Sequence, residues 1–215
     1  MIRRRHPAAD LATTRLEAFT DGIFAIAATL LVLDLTSHTV GDVGSDTELW
    51  AALGHMWPLF LNFSLSFVLL CLLWMTHVQQ FEHVARVDPV MVWLNNGRLL
   101  FIVLIPFATG LTTEYSSYVA GRMAVPVAFF FAILFSRLQW EWAVHRQSVM
   151  LPDLTDDAAR SSGRGALSAL IIAAVVVALS PLVGSLAFLL WFADGLLTRL
   201  LRGEGISREP RGGDD

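Results

Sequence analysis

The chain has 215 residues, of which 55% are apolar and only 16% are charged. Because an ordinary soluble domain carries about a quarter charged residues, this balance excludes a typical soluble enzyme and indicates a protein whose surroundings are partly lipid. The net charge of −4 suggests no nucleic-acid partner. A single cysteine, Cys71, excludes an intrachain disulfide and a metal site built from paired cysteines.

Apolar runs follow one another along the chain at the length of membrane helices, which need about 20 mostly apolar residues. The first follows a basic N-terminus and is closed by an acidic loop, and three more precede a charged loop at 145–164. The last apolar stretch is interrupted at Pro181. Since proline stops or kinks a helix, we expect two helices there. The six predicted spans cover residues 18–36, 50–80, 90–113, 118–143, 165–180 and 182–201.

The arginines indicate how these spans are oriented, because cytoplasmic loops of membrane proteins are enriched in basic residues. Arginines cluster before the first span, in the 145–164 loop and in the C-terminal tail. The tail lies on the cytoplasmic side only if the last stretch crosses twice. We therefore predict an all-α polytopic membrane protein with both termini in the cytoplasm. Residues 1–203 would form one six-helix domain, and residues 204–215 a disordered cytoplasmic tail.

A short motif opens the first span: Arg15, Phe19, Thr20 and Asp21 form Arg-x-x-x-Phe-Thr-Asp. It resembles the Arg-x-x-x-Phe-Ser/Thr-Asp signature of the transmembrane protein 175 family, potassium-permeable channels of endolysosomes and prokaryotes. Thr20 replaces the usual serine but keeps the hydroxyl. Two further segments resemble the family, Trp74-x-x-His77 in the second span and the stretch from Asn96 to Tyr115, which includes Arg98, in the third.

The resemblance implies a prokaryotic-type potassium channel in the cell membrane, built as a homotetramer of six-helix subunits. The first helices would line the pore, and bulky apolar side chains would provide selectivity. The sequence agrees in lacking a Thr-Val-Gly-Tyr-Gly filter loop. It also lacks a second copy of the first-span pattern, so that several subunits are needed to surround a pore. Potassium would be the permeant ion, with protons a further candidate, and no cofactor is expected.

The first span carries an apolar stripe. Ile26, Leu30 and Leu33 stand at i, i+4 and i+7, within one narrow sector of a helix, and Thr29 lies beside them. The resemblance implies that the three apolar residues constrict the pore, chiefly at Ile26, and that Thr29 places a hydroxyl near the ion path. Apolar rings of this kind can also gate by dewetting. Ordinary packing against lipid or other helices is the alternative interpretation of the stripe.

Ionisable residues also occur inside the spans, where they are costly and usually paired. Alternating topology brings the start of the first and third spans and the end of the second to one membrane face. We predict a network there that fixes the pore helix, moving with gating or acting as a static anchor. Its members would be Arg15, Asp21, His77 and Arg98, with Trp74 and Asn96 nearby. No metal site is expected, because His77, Glu82 and His83 lack i, i+4 spacing.

Two other functions remain as alternatives to a channel. A secondary transporter would show internal repeats and a polar site at the membrane midplane, and only Asn62, Ser64 and Ser66 are polar at that depth. An intramembrane enzyme would need a convergent catalytic pair. Ser180 and Asp194 form no recognisable pair, which makes an enzyme the weakest of the three.

Overall fold

The computed structural model of the chain describes residues 11–37 and 40–193. Within these ranges the protein is all-helical, with no β-strand. The helices are α1 (Leu11–Ser37), α2 (Asp46–His55), α3 (Trp57–Phe81), α4 (Pro89–Glu114), α5 (Val119–His145), α6 (Gln147–Met150) and α7 (Asp156–Val183), followed by a 3-10 helix (Gly184–Ala193).

Helix starts follow from local capping chemistry. Asp88 caps α4 by accepting a hydrogen bond from the backbone N–H of Met91 at 2.8 Å, and Pro89 occupies the first turn, where its missing N–H costs nothing. Ser45 caps α2 through the backbone N–H of Glu48. Helices α2, α4 and α7 therefore begin where a side-chain acceptor satisfies a backbone donor that has no partner within the helix, whereas α3 and α5 begin without such a cap.

Five stretches of the described chain are long and apolar enough to cross a membrane: α1, α3, α4, α5, and α7 with the 3-10 helix. Four boundaries differ from the sequence prediction. Helix α1 begins at Leu11, before the predicted start, and the second run divides at Met56 into α2 and α3. Helix α7 begins at Asp156, before the predicted start at residue 165, and continues through Pro181 to Val183.

The end of α7 lies at Gly184, whose φ of 58° is a left-handed conformation that suits glycine. The chain continues from there as the 3-10 helix, up to Ala193. The rest of the predicted sixth span, residues 194–201, and the predicted tail, residues 204–215, lie outside the described residues. The second crossing of this stretch stays a prediction.

Helix α4 lies at the centre of the bundle, packed against α1, α3 and α5, and α5 in turn packs against α7. The core is apolar: Ile102 and Ile105 of α4 and Ala132 of α5 are fully buried. Gly97 allows close approach of α4 and α5, because a Cβ there would stand 2.5 Å from the ring of Phe135. Many large apolar side chains also face outward, as expected of a surface that contacts lipid rather than water.

Two of the three polar residues in the middle of α3, Asn62 and Ser66, are paired with other helices, whereas Ser64 is exposed. Ser66 accepts a hydrogen bond from the buried Thr109 hydroxyl of α4 at 2.9 Å. The Asn62 side-chain oxygen accepts one from the Ser185 hydroxyl of the 3-10 helix at 2.9 Å. These groups hold helices together, and their pairing weakens the transporter alternative because a substrate site needs convergent polar groups with capacity left for a ligand.

Candidate pore-lining face and its supporting network

One side of α1 packs into the bundle, and the other faces out of the subunit. Phe24, Ala27 and Leu31 are buried against the other helices. Ile26 and Leu33, by contrast, are 55% and 57% exposed, although their side chains are large and apolar. Half of this helix is therefore covered by its own subunit, and the opposite half is available to lipid, to other subunits or to a pore.

Leu30 and Thr29 complete the exposed stripe at the level between Ile26 and Leu33. The Thr29 hydroxyl donates a hydrogen bond to the carbonyl of Ile26 at 2.8 Å, within its own helix. Its proton is thereby engaged, whereas the hydroxyl oxygen keeps lone pairs that face outward. The structure thus places all four predicted constriction residues on one exposed face, and what covers that face in an assembly stays a prediction.

A ladder of buried polar side chains holds the opposite side of α1. Thr20 is fully buried and accepts a hydrogen bond from the side-chain amide of Asn95 in α4 at 2.8 Å. The Asn95 oxygen accepts a bond from the amide of Gln139 in α5 at 3.3 Å. Three helices are joined by two consecutive bonds, at positions where an unsatisfied polar group would cost about 1–3 kcal/mol.

A second link joins α1 to α3 at the next residue. The indole N–H of Trp74 donates to a carboxylate oxygen of Asp21 at 3.1 Å. These two side chains also border a cavity of about 300 Å³ between α1 and α3, lined otherwise by small and apolar residues, Phe24, Ala25, Ala28, Leu70 and Cys71. The Trp74–Asp21 bond therefore adds a direct polar tie between two helices that also pack against each other.

Arg98 is the largest fully buried side chain of the described bundle. Its guanidinium donates to the backbone carbonyl of Leu73 at 2.6 Å and lies 3.4 Å from Nδ1 of His77. It also lies over the ring of Phe24, 5.8 Å from the centroid. His77 is fully buried too and packs against Phe81, with ring centroids 4.3 Å apart. Arg98 thus connects α4 to α3 and α1 through a carbonyl, an imidazole and an aromatic face.

The predicted network is only partly as the sequence suggested. Asp21 meets Trp74, and Arg98 meets His77. Asn96 is exposed, and its buried neighbour Asn95 makes the contact with Thr20 instead. The signal for Asn95 was its spacing: Met91, Asn95, Arg98 and Ile102 recur every three or four residues, which places them on one helix face.

Two motif residues point elsewhere. Arg15 and Phe19 are exposed, on the same side of α1 as Ile26. Among the described residues no group of three or more metal-binding side chains occurs. The site is therefore an exposed, mainly apolar helix face, fixed from behind by hydrogen bonds to α3 and α4.

Comparison with known proteins provides the family. Residues 15–106, which carry the motif, the Trp74–His77 segment and most of α4, match the family model described as the endosomal/lysosomal potassium channel TMEM175. The matched segment is therefore similar to the TMEM175 family over somewhat less than half of the chain. A potassium channel of Streptomyces collinus is 37% identical over 131 residues, 59% of this chain and 62% of that protein. One of Chamaesiphon minutus is 38% identical over 137 residues, 61% of this chain and 66% of that protein. The chain thus spans just under two thirds of each of these two relatives.

The fold is shared with solved TMEM175 structures. A crystal structure of a lysosomal potassium-selective TMEM175 homologue from Chamaesiphon minutus superposes with a TM-score of 0.64 and 28% identity, covering 88% of this chain and 99% of that one. The human endosomal/lysosomal proton channel TMEM175 is 34% identical over 150 residues, 66% of this chain and 30% of the human protein. The chain is thus a multi-pass membrane protein that is similar to potassium channels and to TMEM175 channels.

Proposed function

We propose that this protein is the subunit of a potassium-permeable cation channel in which α1 lines a central pore. The observation that carries the proposal is the exposed apolar stripe of Ile26, Leu30 and Leu33 on a helix whose other side is tied into the bundle. The names of the bacterial relatives support potassium as the permeant ion. One stripe cannot surround a path by itself, and we propose a homotetramer with four α1 helices around the axis.

Conduction through such a path depends on hydration. At Ile26 the apolar side chains narrow the path and offer no oxygen ligands, so that an ion sheds water there or the constriction stays dry and closed. Thr29, about one turn away, supplies an outward-facing hydroxyl oxygen that replaces part of the lost hydration. Ile26 therefore acts as the main barrier, with Leu30 and Leu33 as further apolar rings.

The distribution of arginines supports an orientation with both termini in the cytoplasm, in the cell membrane of a prokaryote. The start of α1, where Arg15 lies, is then the inner end of the path. The mechanism needs neither cofactor nor resident metal, only ions moving down their gradient. Because vertebrate relatives are named proton channels, proton flux belongs in the same assay.

The test is potassium flux into liposomes reconstituted with the purified protein, wild type beside Ile26→Asn. We expect passive potassium flux in the wild type and a several-fold loss of the potassium-over-sodium preference in the variant. Val32→Asn is the matched control. Val32 is also apolar and 45% exposed on α1, but it lies about 120° round the helix from Ile26. The potassium-over-sodium preference of Val32→Asn should therefore stay near that of the wild type.

Two results would contradict the proposal. An absence of flux from protein shown to be folded and oligomeric would remove the channel function. If neither Ile26→Asn nor Val32→Asn changed the potassium-over-sodium preference, the protein would still be a channel, but the stripe would not line its ion path. A saturable flux that exchanges one solute for another would favour the secondary transporter.

A further inference from the structure

Phe19 lies on the same stripe as the proposed constriction. Its ring is 55% exposed, the same fraction as Ile26. Seven residues correspond to about 700° of helix rotation, so Phe19 and Ile26 differ by only about 20° in direction. The rise of about 10 Å over seven residues places Phe19 nearer the start of α1.

The two residues after Phe19 fix its direction. Thr20 is fully buried and bonded to Asn95 of α4, and Asp21 is bonded to Trp74 of α3. Since successive side chains on a helix point about 100° apart, anchoring Thr20 and Asp21 on two neighbouring helices turns Phe19 away from the bundle. In the Phe-Thr-Asp sequence, Thr20 and Asp21 therefore bind neighbouring helices, and Phe19 faces outward as a result.

Gly22 separates the two levels. It lies about 40° from Ile26 on the same exposed side, and no atom of the subunit comes within 4 Å of the position that a Cβ would take. Without a side chain at this level, the path would be wider between Phe19 and Ile26. The exposed face therefore alternates from a bulky aromatic residue to none and then to a bulky aliphatic one.

We propose that Phe19 forms a second, aromatic constriction at the inner end of the path, separated from the Ile26 ring by a wider chamber at Gly22. This rests on the proposed function. The Phe19 rings limit the rate at which cations enter from the cytoplasm, whereas Ile26 sets the selectivity. The face of an aromatic ring attracts a cation, and this attraction partly offsets the loss of the water that is displaced as the ion passes. Phe19 is thus a rate-determining residue.

Cysteine accessibility tests the position of Phe19. In a Cys71→Ser background, which removes the one native thiol, Phe19→Cys is exposed to a trimethylammonium methanethiosulfonate reagent on the cytoplasmic side of inside-out patches. We expect potassium current to fall severalfold. Trp93→Cys is the matched control, since Trp93 is an aromatic residue near the start of α4 that is 75% exposed. Its modification should leave the current unchanged.

Side-chain size provides a second test. Phe19→Ala should raise the single-channel current at an unchanged potassium-over-sodium ratio, the opposite of the change expected for Ile26→Asn. Gly22→Leu should lower the current by filling the chamber, because a Cβ at this position would have no atom of another element within 4 Å. If Phe19→Ala fails to assemble, Phe19→Leu, which keeps an apolar contact, takes its place with a smaller rise.

The outcomes separate this inference from the proposed function. The aromatic constriction would be overturned, and the channel left intact, by two results together: the reagent does not change the current of Phe19→Cys, and Phe19→Ala and Gly22→Leu both carry the same current as the wild type. If Phe19→Ala changed the selectivity but not the current, the proposal that Phe19 limits the rate and Ile26 sets the selectivity would be overturned. No current from assembled wild-type protein would instead remove the proposed function itself.

Discussion

Replacing Thr20 by valine tests how strongly the buried ladder holds α1. The change keeps the shape of the side chain but removes the oxygen that accepts the Asn95 amide at 2.8 Å, and both residues are fully buried. A buried donor left without its partner costs about 1–3 kcal/mol in soluble proteins. Hydrogen bonds between membrane helices average about 0.6 kcal/mol, with a maximum near 1.7. We therefore expect a loss of about 1 kcal/mol, toward the upper part of the membrane range.

The assay is thermal unfolding of the assembled protein in detergent. For a chain of 150–250 residues, a loss of about 1 kcal/mol corresponds to a fall in Tm of about 2–4 °C. Thr36→Val is the matched control on the same helix: the Thr36 hydroxyl is exposed and donates only to the Leu33 carbonyl one turn earlier. Its Tm should fall by less than about 2 °C, because exposed substitutions stay within about 0.5 kcal/mol. Equal Tm values for the two variants would refute the structural role of the ladder.

Two further substitutions test the packing of α4. Gly97→Ala should lower Tm, because the new Cβ would stand 2.5 Å from the ring of Phe135 and overpacking costs about 1–3 kcal/mol. Gly163→Ala in α7 is the control. Nothing lies within 4 Å of a Cβ there, so its Tm should stay the same or rise. An unchanged Tm for Gly97→Ala would show that the helices separate freely. Arg98→Met should shift Tm by less than about 4 °C, because a desolvation penalty of several kcal/mol offsets bonds worth about 1.5–3. A much larger fall would show that Arg98 stabilises the fold.

That Ile26, Leu30 and Leu33 lie on one side of α1 could be predicted from the sequence, because helical periodicity is a local property. Ile26, Leu30 and Leu33 share a sector in any straight helix, and the structure leaves that sector exposed. The start of α1 could not be found in the same way. Its first turns are polar, and hydropathy excluded them, yet Thr13 is buried and donates to the carbonyl of Ala85, beyond the end of α3.

The supporting network shows the same limit. Composition and topology brought the polar residues to one end of the bundle, but whether Asn95 or Asn96 meets Thr20 depends on the rotation of α4, which close packing at Gly97 against Phe135 helps to fix. Phe19 was assigned to the network because it belongs to the motif. The structure turns it outward, onto the side of Ile26.

The sequence by itself determined that the chain is helical and suited to a membrane, which of its runs are long enough to span, and which family its first half resembles. These follow from hydropathy, charge and short motifs, which need no knowledge of neighbouring helices. Only the tertiary structure decided which side of α1 is anchored and which is open. That choice depends on hydrogen bonds from Asn95 and Trp74, residues far from Thr20 and Asp21 in the chain, and long-range pairings of this kind leave no periodic trace in the sequence.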